Sequence, residues 1–311
     1  MEYVVLALII ILFALIFLTI FSFYIAFYVN RKKKVDIYKL PNGYGYDKNR
    51  ELMIELTKQA NEAPYEEICI TSFDGLKLFA RYYHLSDKAP LQIQFHGYRG
   101  CCVRDMSGGS KLAKQLNYNV LLVDQRAHGK SGGKVITFGI KERKDVLSWI
   151  NYCNSRFGKD KEIVLSGVSM GASCVIMALD QDLPDNVKGV IADCPYSSIK
   201  EIIIAFTNRL KLPGKLFYPF IYLGARILGN VNLHETSAIK AIKNSKIPVL
   251  IIHGNKDDIV PYNMSKSIQQ ANPTMCSLEI FDNAGHGLSY IEDYKRYEKV
   301  VLDFEQKIKK S

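Results

Sequence analysis

The longest apolar run of the chain lies at its start. Residues 3–29 contain no charged side chain and consist mostly of Ile, Leu, Phe, Val and Ala. The hydrocarbon core of a bilayer is about 30 Å thick and needs roughly 20 such residues in a helix. We therefore expect residues 1–30 to form an uncleaved transmembrane anchor.

Two other interpretations of this run fit its pattern less well. A cleaved signal peptide has a basic start, a shorter apolar run and small residues at its cleavage site, whereas this segment starts with Glu2 and ends in bulky residues. A buried core helix rarely stays apolar on every face. The anchor fits the pattern better than either alternative.

The next segment, residues 31–64, is predicted to be a juxtamembrane piece. The sequence at 41–45 is rich in turn residues, and the pattern at 49–62 predicts a helix that ends before Pro64.

Residues 65–311 alternate between short apolar runs and helix-length stretches. The first two runs are joined at Phe73-Asp74-Gly75, which is a hairpin signal. The predicted strands lie at 67–71, 76–82, 91–95, 120–123, 163–165, 189–192, 249–252 and 278–281, with helices at 103–116, 141–157, 170–179 and 292–308. This alternation predicts one α/β domain with a mostly parallel central sheet and helices on both faces.

One connection is too long for a simple α/β unit. Residues 194–248 separate two predicted strands and are rich in bulky apolar side chains. Connections between such elements are normally short. We expect a helical cap insertion over the active-site end of the sheet, and the alternative is two ordinary packed helices.

Composition excludes several classes of protein. With 48% hydrophobic and 23% charged residues among 311, the chain is neither disordered nor fibrous as a whole. The net charge is +10, and +7 is left once the four basic residues at 31–34 and Glu2 are removed. That excess favours anionic lipid surfaces, whereas no basic stripe interleaved with aromatic residues indicates nucleic-acid binding.

The charges beside the apolar run also predict an orientation. Arg31, Lys32, Lys33 and Lys34 follow the run and no basic residue precedes it, so the domain that follows is expected on the cytoplasmic side. The seven cysteines are odd in number and show no disulfide or zinc spacing, in agreement with a reducing compartment.

The sharpest chemical signal is Gly167-Val168-Ser169-Met170-Gly171. It follows a predicted strand and opens a predicted helix, which is the context that gives a GxSxG sequence its meaning. Such a tight turn leaves no room for side chains two residues before and after the serine, and it exposes the hydroxyl at the carboxyl end of the sheet. Ser169 is therefore the predicted nucleophile.

A serine nucleophile needs a histidine base and an acid that orients it. In this strand–turn–helix arrangement the chain order is serine, acid, histidine. Asp257 and Asp258 follow a predicted strand, and His286 lies in the loop after the last one. Other histidines are expected to have no catalytic role: His253, at a strand end, is expected to be structural, and His84 and His234 have no recognisable catalytic partners and fit surface or packing positions.

Taken together, these segments resemble the serine hydrolases of the α/β-hydrolase fold, in the serine-aminopeptidase-like and Bem46-like branch. The resemblance covers about residues 66–305 and rests on His96-Gly97-Tyr98, the Asp124–Gly132 block, the GxSxG turn, His253-Gly254 through Asp257 to Val260-Pro261, and Gly285-His286. It implies that Asp257 is the acid of a Ser-His-Asp triad, with Asp258 as the fallback.

An oxyanion requires two backbone N–H donors. The residue after the nucleophile supplies one at the helix N-terminus, which here is Met170. The resemblance implies that Tyr98, in the loop after the strand at 91–95, supplies the other. The chain lacks the His-Gly-Gly-Gly sequence of many lipases, which puts bulky tertiary-alcohol esters in doubt as substrates.

Other chemistry finds little support in the sequence. Asp124, His128 and Asp145 are expected to have structural roles, because the block around His128 is a structural turn in related hydrolases. His234-Glu235 is not followed by the second histidine of a zinc-binding HExxH sequence, and no phosphate-binding or dinucleotide-binding glycine pattern follows a strand. The expected site therefore uses no metal and no cofactor.

The sequence thus predicts a membrane-anchored serine hydrolase that cleaves carboxylic esters, of acyl or lipid-derived character, through an acyl-enzyme. A serine aminopeptidase-type peptidase and an acyl-thioesterase use the same triad and stay open as alternatives. A non-catalytic binding protein on this fold is the alternative from another class. The expected partners are a small-molecule or lipid ester and the membrane.

Overall fold

A computed structural model describes residues 1–31 and 35–309 of the chain. Lys32, Lys33 and Lys34, on which much of the orientation prediction rests, lie outside the described residues.

The described strands form one central sheet in the order β1-β2-β4-β3-β5-β6-β7-β8. Antiparallel pairing is confined to β1 with β2 and β2 with β4, and every other neighbouring pair is parallel. The strands are β1 (Glu66–Thr71), β2 (Lys77–Tyr83), β3 (Leu91–Phe95), β4 (Asn119–Asp124), β5 (Ile163–Val168), β6 (Val187–Asp193), β7 (Val249–Gly254) and β8 (Cys276–Phe281). The predicted mostly parallel sheet is confirmed.

Helices cover both faces of this sheet. The helices of the described residues are α1 (Glu2–Ala26), α2 (Arg50–Glu62), α3 (Cys102–Asp105), α4 (Ser107–Gln115), α5 (Glu142–Phe157), α6 (Met170–Met177), α7 (Ile199–Arg209), α8 (Gly214–Leu228), α9 (Ala238–Ile242), α10 (Asn263–Ala271), α11 (Ser289–Glu292) and α12 (Tyr294–Ile308). A short 3₁₀ turn, Ala178–Asp180, continues α6.

The alternation of side chains in the central strands explains the two covered faces. In β4, Leu121 and Val123 belong to the core shared with α5, α6, α9 and α10, whereas Val120 and Leu122 face the core shared with α2, α3, α4 and α12. Successive strand residues point to opposite faces. A run that is apolar at every position therefore marks a strand buried on both sides.

Two predicted helices are interrupted. The helix predicted at 103–116 breaks at Met106, between α3 and α4, where the backbone leaves the helical conformation with φ −106° and ψ 8°. The helix predicted from residue 292 breaks at Asp293, whose carboxylate accepts the Arg296 N–H at 3.1 Å and caps α12.

The segment between β6 and β7 holds α7, α8 and α9. Short α9 packs against α6 and α10 on a face of the sheet, whereas α7 and α8 pack on each other and, through α8, on α1. We call α7 and α8 the insertion helices. Together with the end of α1 they form a third apolar core at the carboxyl end of the sheet.

Helix α1 is long and apolar enough to cross a membrane. Only 6% of its most apolar 18-residue stretch is buried, whereas a core helix would be mostly buried. A signal sequence near the N-terminus would pass the same test. The last turns of α1 pack closely on α8, because a Cβ atom at Gly224 would lie only 2.8 Å from the Thr19 carbonyl oxygen. Glycine at this position permits the close approach of the two helices.

Candidate active site

The turn between β5 and α6 carries Ser169 in a conformation that L-residues rarely adopt, with φ 55° and ψ −115°. Both flanking glycines are needed for this turn. A Cβ atom at Gly167 would lie 2.4 Å from the Gly171 backbone, and a Cβ atom at Gly171 would lie 2.0 Å from the Phe95 carbonyl oxygen. The strand–turn–helix context of the GxSxG sequence is therefore present, and it holds the serine against the end of β3.

Three of the predicted site residues meet at this turn. His286 Nε2 lies 2.9 Å from Ser169 Oγ, and His286 Nδ1 lies 2.7 Å from Asp257 Oδ2. The carboxylate can only accept, so Nδ1–H donates to Asp257 and Nε2 is left to accept the serine hydroxyl. This is the tautomer in which a histidine can take a proton from the serine.

The carboxylate of Asp257 is wholly buried and fully hydrogen-bonded. Its Oδ1 accepts the backbone N–H groups of Ile259 and Val260, each at 2.8 Å, while Oδ2 faces His286 and His253. Burial acts to raise the pKa of Asp257, but the charge of His286 and the hydrogen bonds from His253 and His286 outweigh it and hold the pKa well below its usual range. Asp257 therefore stays ionised when the site works.

The pKa of His286 is shifted in the opposite direction. Burial alone would lower it, but the charge and hydrogen bond of Asp257 raise the pKa of His286 above its ordinary value. A stronger base is the expected consequence of a buried carboxylate beside an imidazole.

Two residues that hold this arrangement were not recognised from the sequence. His253, assigned only a structural role, places Nε2 at 3.1 Å from Asp257 Oδ2 and 2.9 Å from the Val260 carbonyl oxygen. Tyr46, from the segment after α1, donates its hydroxyl to the His286 carbonyl oxygen at 2.8 Å. The four-residue spacing from His253 to Asp257 could have indicated that the two side chains are in contact, whereas nothing in the sequence points to Tyr46.

The loop after β3 lies beside the serine. The Gly97 N–H donates to Asp105 Oδ2 at 3.1 Å, and a Cβ atom at Gly97 would lie 3.5 Å from the Ser169 Cβ. Tyr98 is the next residue of this loop, Met170 is the first residue of α6, and both line the cavity that reaches Ser169.

Two cavities meet at Ser169. The first, of about 230 Å³, is lined mainly by apolar side chains, more than half of the lining residues coming from α1, α7 and α8. The second, of about 310 Å³, is more polar and lies towards Arg104, Asp105, Asp193 and His286. Ser169 thus lies between an apolar cavity and a more polar one.

The other candidate residues lie in different surroundings. Asp258 pairs with Arg209 at 2.7 Å instead of facing His286. Asp145 pairs with Arg126 at 2.6 Å, and Asp124 Oδ2 accepts the Lys130 N–H at 2.9 Å.

Three further histidines have local partners. His128 Nε2 accepts the Arg99 N–H at 3.0 Å, His84 Nδ1 lies 3.2 Å from the Tyr82 hydroxyl, and His234 Nε2 lies 2.8 Å from the Tyr218 hydroxyl.

One group of described residues has the right atoms for a metal ion. The ligand atoms of Cys194, Asp257 and His286 lie within 4.8 Å of one another. Burial raises the pKa of the Cys194 thiol well above its ordinary value, which disfavours the thiolate that binds metals. Asp257 and His286 are also hydrogen-bonded to each other, so this donor set fits a proton relay better than a metal centre.

Comparison with known proteins identifies the family of the chain. A family model described as serine aminopeptidase, S33, matches residues 90–246, about half of the chain. The protein YqkD of Bacillus subtilis is 28% identical over 190 residues, covering 61% of this chain and 62% of that protein. Protein bem46 of Schizosaccharomyces pombe is 25% identical over 177 residues, covering 56% and 54%. The chain therefore spans less than two thirds of the length of these curated relatives.

Solved structures show the same fold. The esterase Pf2001 of Pyrococcus furiosus, at 23% identity, covers 80% of this chain and 94% of its own, with a TM-score of 0.63. Est1E of Butyrivibrio proteoclasticus, solved with ferulic acid, is 21% identical and covers 78% and 100%, with a TM-score of 0.60. The expected α/β-hydrolase fold is confirmed.

Proposed function

The chain belongs to the serine aminopeptidase family, S33, and from that premise we propose that it is a membrane-anchored serine hydrolase that cleaves carboxylic esters with an apolar acyl group. The observation that carries the proposal is the hydrogen-bonded series from Asp257 through His286 to Ser169, with distances of 2.7 and 2.9 Å, at the inner end of an apolar cavity.

In the proposed mechanism, Ser169 Oγ attacks the ester carbonyl carbon while His286 Nε2 takes the hydroxyl proton. The oxyanion accepts hydrogen bonds from the Tyr98 and Met170 N–H groups, and Asp257 stabilises the imidazolium. His286 then gives its proton to the leaving alcohol, and an acyl-enzyme forms on Ser169. A water molecule then attacks the acyl carbon while His286 takes its proton. The bond from the acyl carbon to Ser169 Oγ breaks, His286 returns the proton to Ser169, and the acid leaves.

The two cavities suggest how the substrate lies. The acyl group occupies the apolar cavity, and the leaving alcohol occupies the more polar one beside Asp105 and Arg104. Apolar surface buried in a cavity contributes roughly 25 cal/mol per Å². Acyl groups with more apolar surface should therefore be preferred.

Contacts at the end of α1 support its retention as an anchor over its removal as a signal sequence. The Tyr98 hydroxyl donates to the Ala26 carbonyl oxygen at 2.8 Å, and Arg99 Nη2 donates to the carbonyl oxygens of Ile25 (2.7 Å) and Tyr28 (3.0 Å). These contacts come from the loop expected to hold the oxyanion. Cleavage that removes α1 would therefore remove hydrogen bonds that hold this loop in place. The basic residues from Arg31 onwards favour a cytoplasmic catalytic domain.

Aminopeptidase activity is the second candidate, favoured by the description of the family. Asp193 lines the polar cavity, and its Oδ1 is buried with no hydrogen-bond partner among the described residues. Burial raises the pKa of Asp193 to about 6, so it is a weak anchor for a substrate amino group compared with an ionised acidic pair. Ester cleavage therefore stays the leading proposal.

The test uses the full-length protein in detergent with p-nitrophenyl butyrate and an aminoacyl-naphthylamide. We expect hydrolysis of the butyrate and little of the amide, with the butyrate activity lost in Ser169→Ala. Asp257→Asn and Asp258→Asn form a matched pair in one loop. The first should lower kcat/KM by about 10⁴-fold, and the second by no more than a few-fold.

Butyrate hydrolysis that persists in Ser169→Ala would overturn the mechanism. Faster cleavage of the amide than of the ester would favour the peptidase instead.

A further inference from the structure

Helix α1 contributes one wall of the apolar cavity at Ser169. The residues concerned are Leu18, Phe21, Ser22, Ile25 and Ala26. Their spacing of three and four places them on one face of the helix. The opposite face, on which Ile20 lies, does not line this cavity. The segment proposed as the anchor therefore also shapes the acyl site.

The cavity extends from the nucleophile to the surface. At its inner end Met170 and Tyr196 are buried, whereas Phe21 (51% exposed), Ile25 (57%) and Leu210 (57%) line its outer part. The opening therefore lies between α1 and the end of α7.

The length of α1 places this opening at the level of a bilayer. Residues 2–17 are all exposed and rise about 24 Å along the helix axis. A bilayer core is about 30 Å thick, so the free part of α1 is too short to span it. The hydrocarbon region must then include the next turn or more, which begins at Leu18 and forms the cavity wall.

The surface of the insertion helices beside the opening has the composition of a membrane interface. Leu210 and Leu212, in the loop between the insertion helices, line the cavity and are exposed, and Leu216 and Ile227 of α8 are exposed as well. Residues 202–230 carry four basic residues and no acidic one. Exposed apolar side chains among basic ones are typical of surfaces that lie on anionic lipid headgroups.

We propose that the apolar cavity opens directly into the bilayer between α1 and the insertion helices, so that the substrate is a long-chain lipid ester resident in the membrane and α1 is part of its binding site. This inference rests on the proposed function, since it assumes that Ser169 attacks an ester whose acyl chain fills this cavity. The acyl chain of the substrate would then enter the cavity laterally from the lipid without crossing water.

The first test compares two matched variants, Ile25→Trp on the cavity face and Ile20→Trp on the opposite face of α1. Full-length protein is reconstituted in vesicles of phosphatidylcholine and phosphatidylglycerol, and kcat/KM is measured for p-nitrophenyl dodecanoate and p-nitrophenyl butyrate. Each methylene excluded from an apolar wall lowers kcat/KM about fourfold. Ile25→Trp should therefore lower the dodecanoate-to-butyrate ratio by at least about tenfold, and Ile20→Trp should leave it unchanged.

Phe21→Ala provides a second test of the cavity wall formed by α1 if Ile25→Trp does not fold. It enlarges the cavity and should shift the preference from dodecanoate towards hexadecanoate. Equal ratios in the wild type and the cavity-face variants, or equal changes on both faces of α1, would overturn the proposal. Loss of butyrate hydrolysis in Ser169→Ala reports separately on the proposed function.

The second test locates the opening. Trp149 is the single tryptophan of the chain and is wholly buried, so a tryptophan introduced at Leu210 can be followed by its fluorescence. In vesicles containing brominated phosphatidylcholine, Leu210→Trp should be quenched. Phe73→Trp, exposed in the β1–β2 turn, should not. Absence of quenching at position 210 would refute lateral access from the lipid.

Discussion

Replacing His253 by phenylalanine removes one of the two imidazoles that hold Asp257. The ring is wholly buried, and its Nε2 lies 3.1 Å from Asp257 Oδ2 and 2.9 Å from the Val260 carbonyl oxygen. Both neighbours are acceptors, so Nε2 carries the hydrogen and Nδ1, 2.6 Å from the Ser265 hydroxyl, accepts. Phenylalanine keeps the shape of the ring but cannot donate.

A hydrogen bond to a charged group contributes about 1.5–3 kcal/mol. If the transition state loses that much stabilisation because Asp257 is no longer held by His253, kcat/KM falls by about tenfold to hundredfold. The pKa of Asp257 rises, since the His253 hydrogen bond is one of the causes that hold it low. The pKa of Asp257 nevertheless stays below that of His286, which sets the acid limb of kcat/KM. Without the His253 donor the Asp257 carboxylate attracts the His286 imidazolium more strongly, so the acid limb of His253→Phe should move to higher pH.

The assay is the pH profile of kcat/KM for p-nitrophenyl butyrate, with thermal unfolding as the measure of folding. His253→Gln retains an amide donor and should recover part of the activity. Folded His253→Phe with wild-type kcat/KM and an unchanged pH profile would refute a positioning role for His253.

Three further predictions follow from single contacts. Asp257→Asn removes the charge that raises the pKa of His286, so the acid limb of the residual kcat/KM should move to lower pH. An acid limb at the wild-type pH would show that Asp257 does not raise the pKa of His286. Tyr46→Phe removes the 2.8 Å hydrogen bond to the His286 carbonyl and should lower kcat/KM by about twofold to tenfold without unfolding, as judged by circular dichroism; no change would show that Tyr46 does not position the histidine. Gly171→Ala would place a Cβ atom 2.0 Å from the Phe95 carbonyl oxygen and should lower the free energy of unfolding in urea by about 1–3 kcal/mol; an unchanged midpoint would contradict the close packing of this turn.

The elements that the sequence predicted well are those with a local signal. The buried strands appear as short apolar runs because each is covered on both faces, and the tight turn at Ser169 appears as two glycines because two backbones approach there. The ends of the strands were predicted too short, since polar residues such as Asn119 and Asp124 close β4.

The parts that could not be predicted depend on distant contacts. Tyr46 and His286 are 240 residues apart, and neither carries a pattern that reveals the other. Helix α1 is apolar on every side, so its sequence does not show which face packs on α8 or lines the cavity. The close approach at Gly224 becomes visible only when the two helices are brought together.

The most direct test of the central claim is intact-mass analysis of the full-length protein after reaction with a fluorophosphonate. The proposed mechanism predicts one covalent adduct on the wild type, mapped to Ser169 by peptide mass spectrometry, and none on Ser169→Ala. An adduct of equal yield on Ser169→Ala, or folded wild-type protein that does not react, would contradict the assignment of Ser169 as the activated nucleophile.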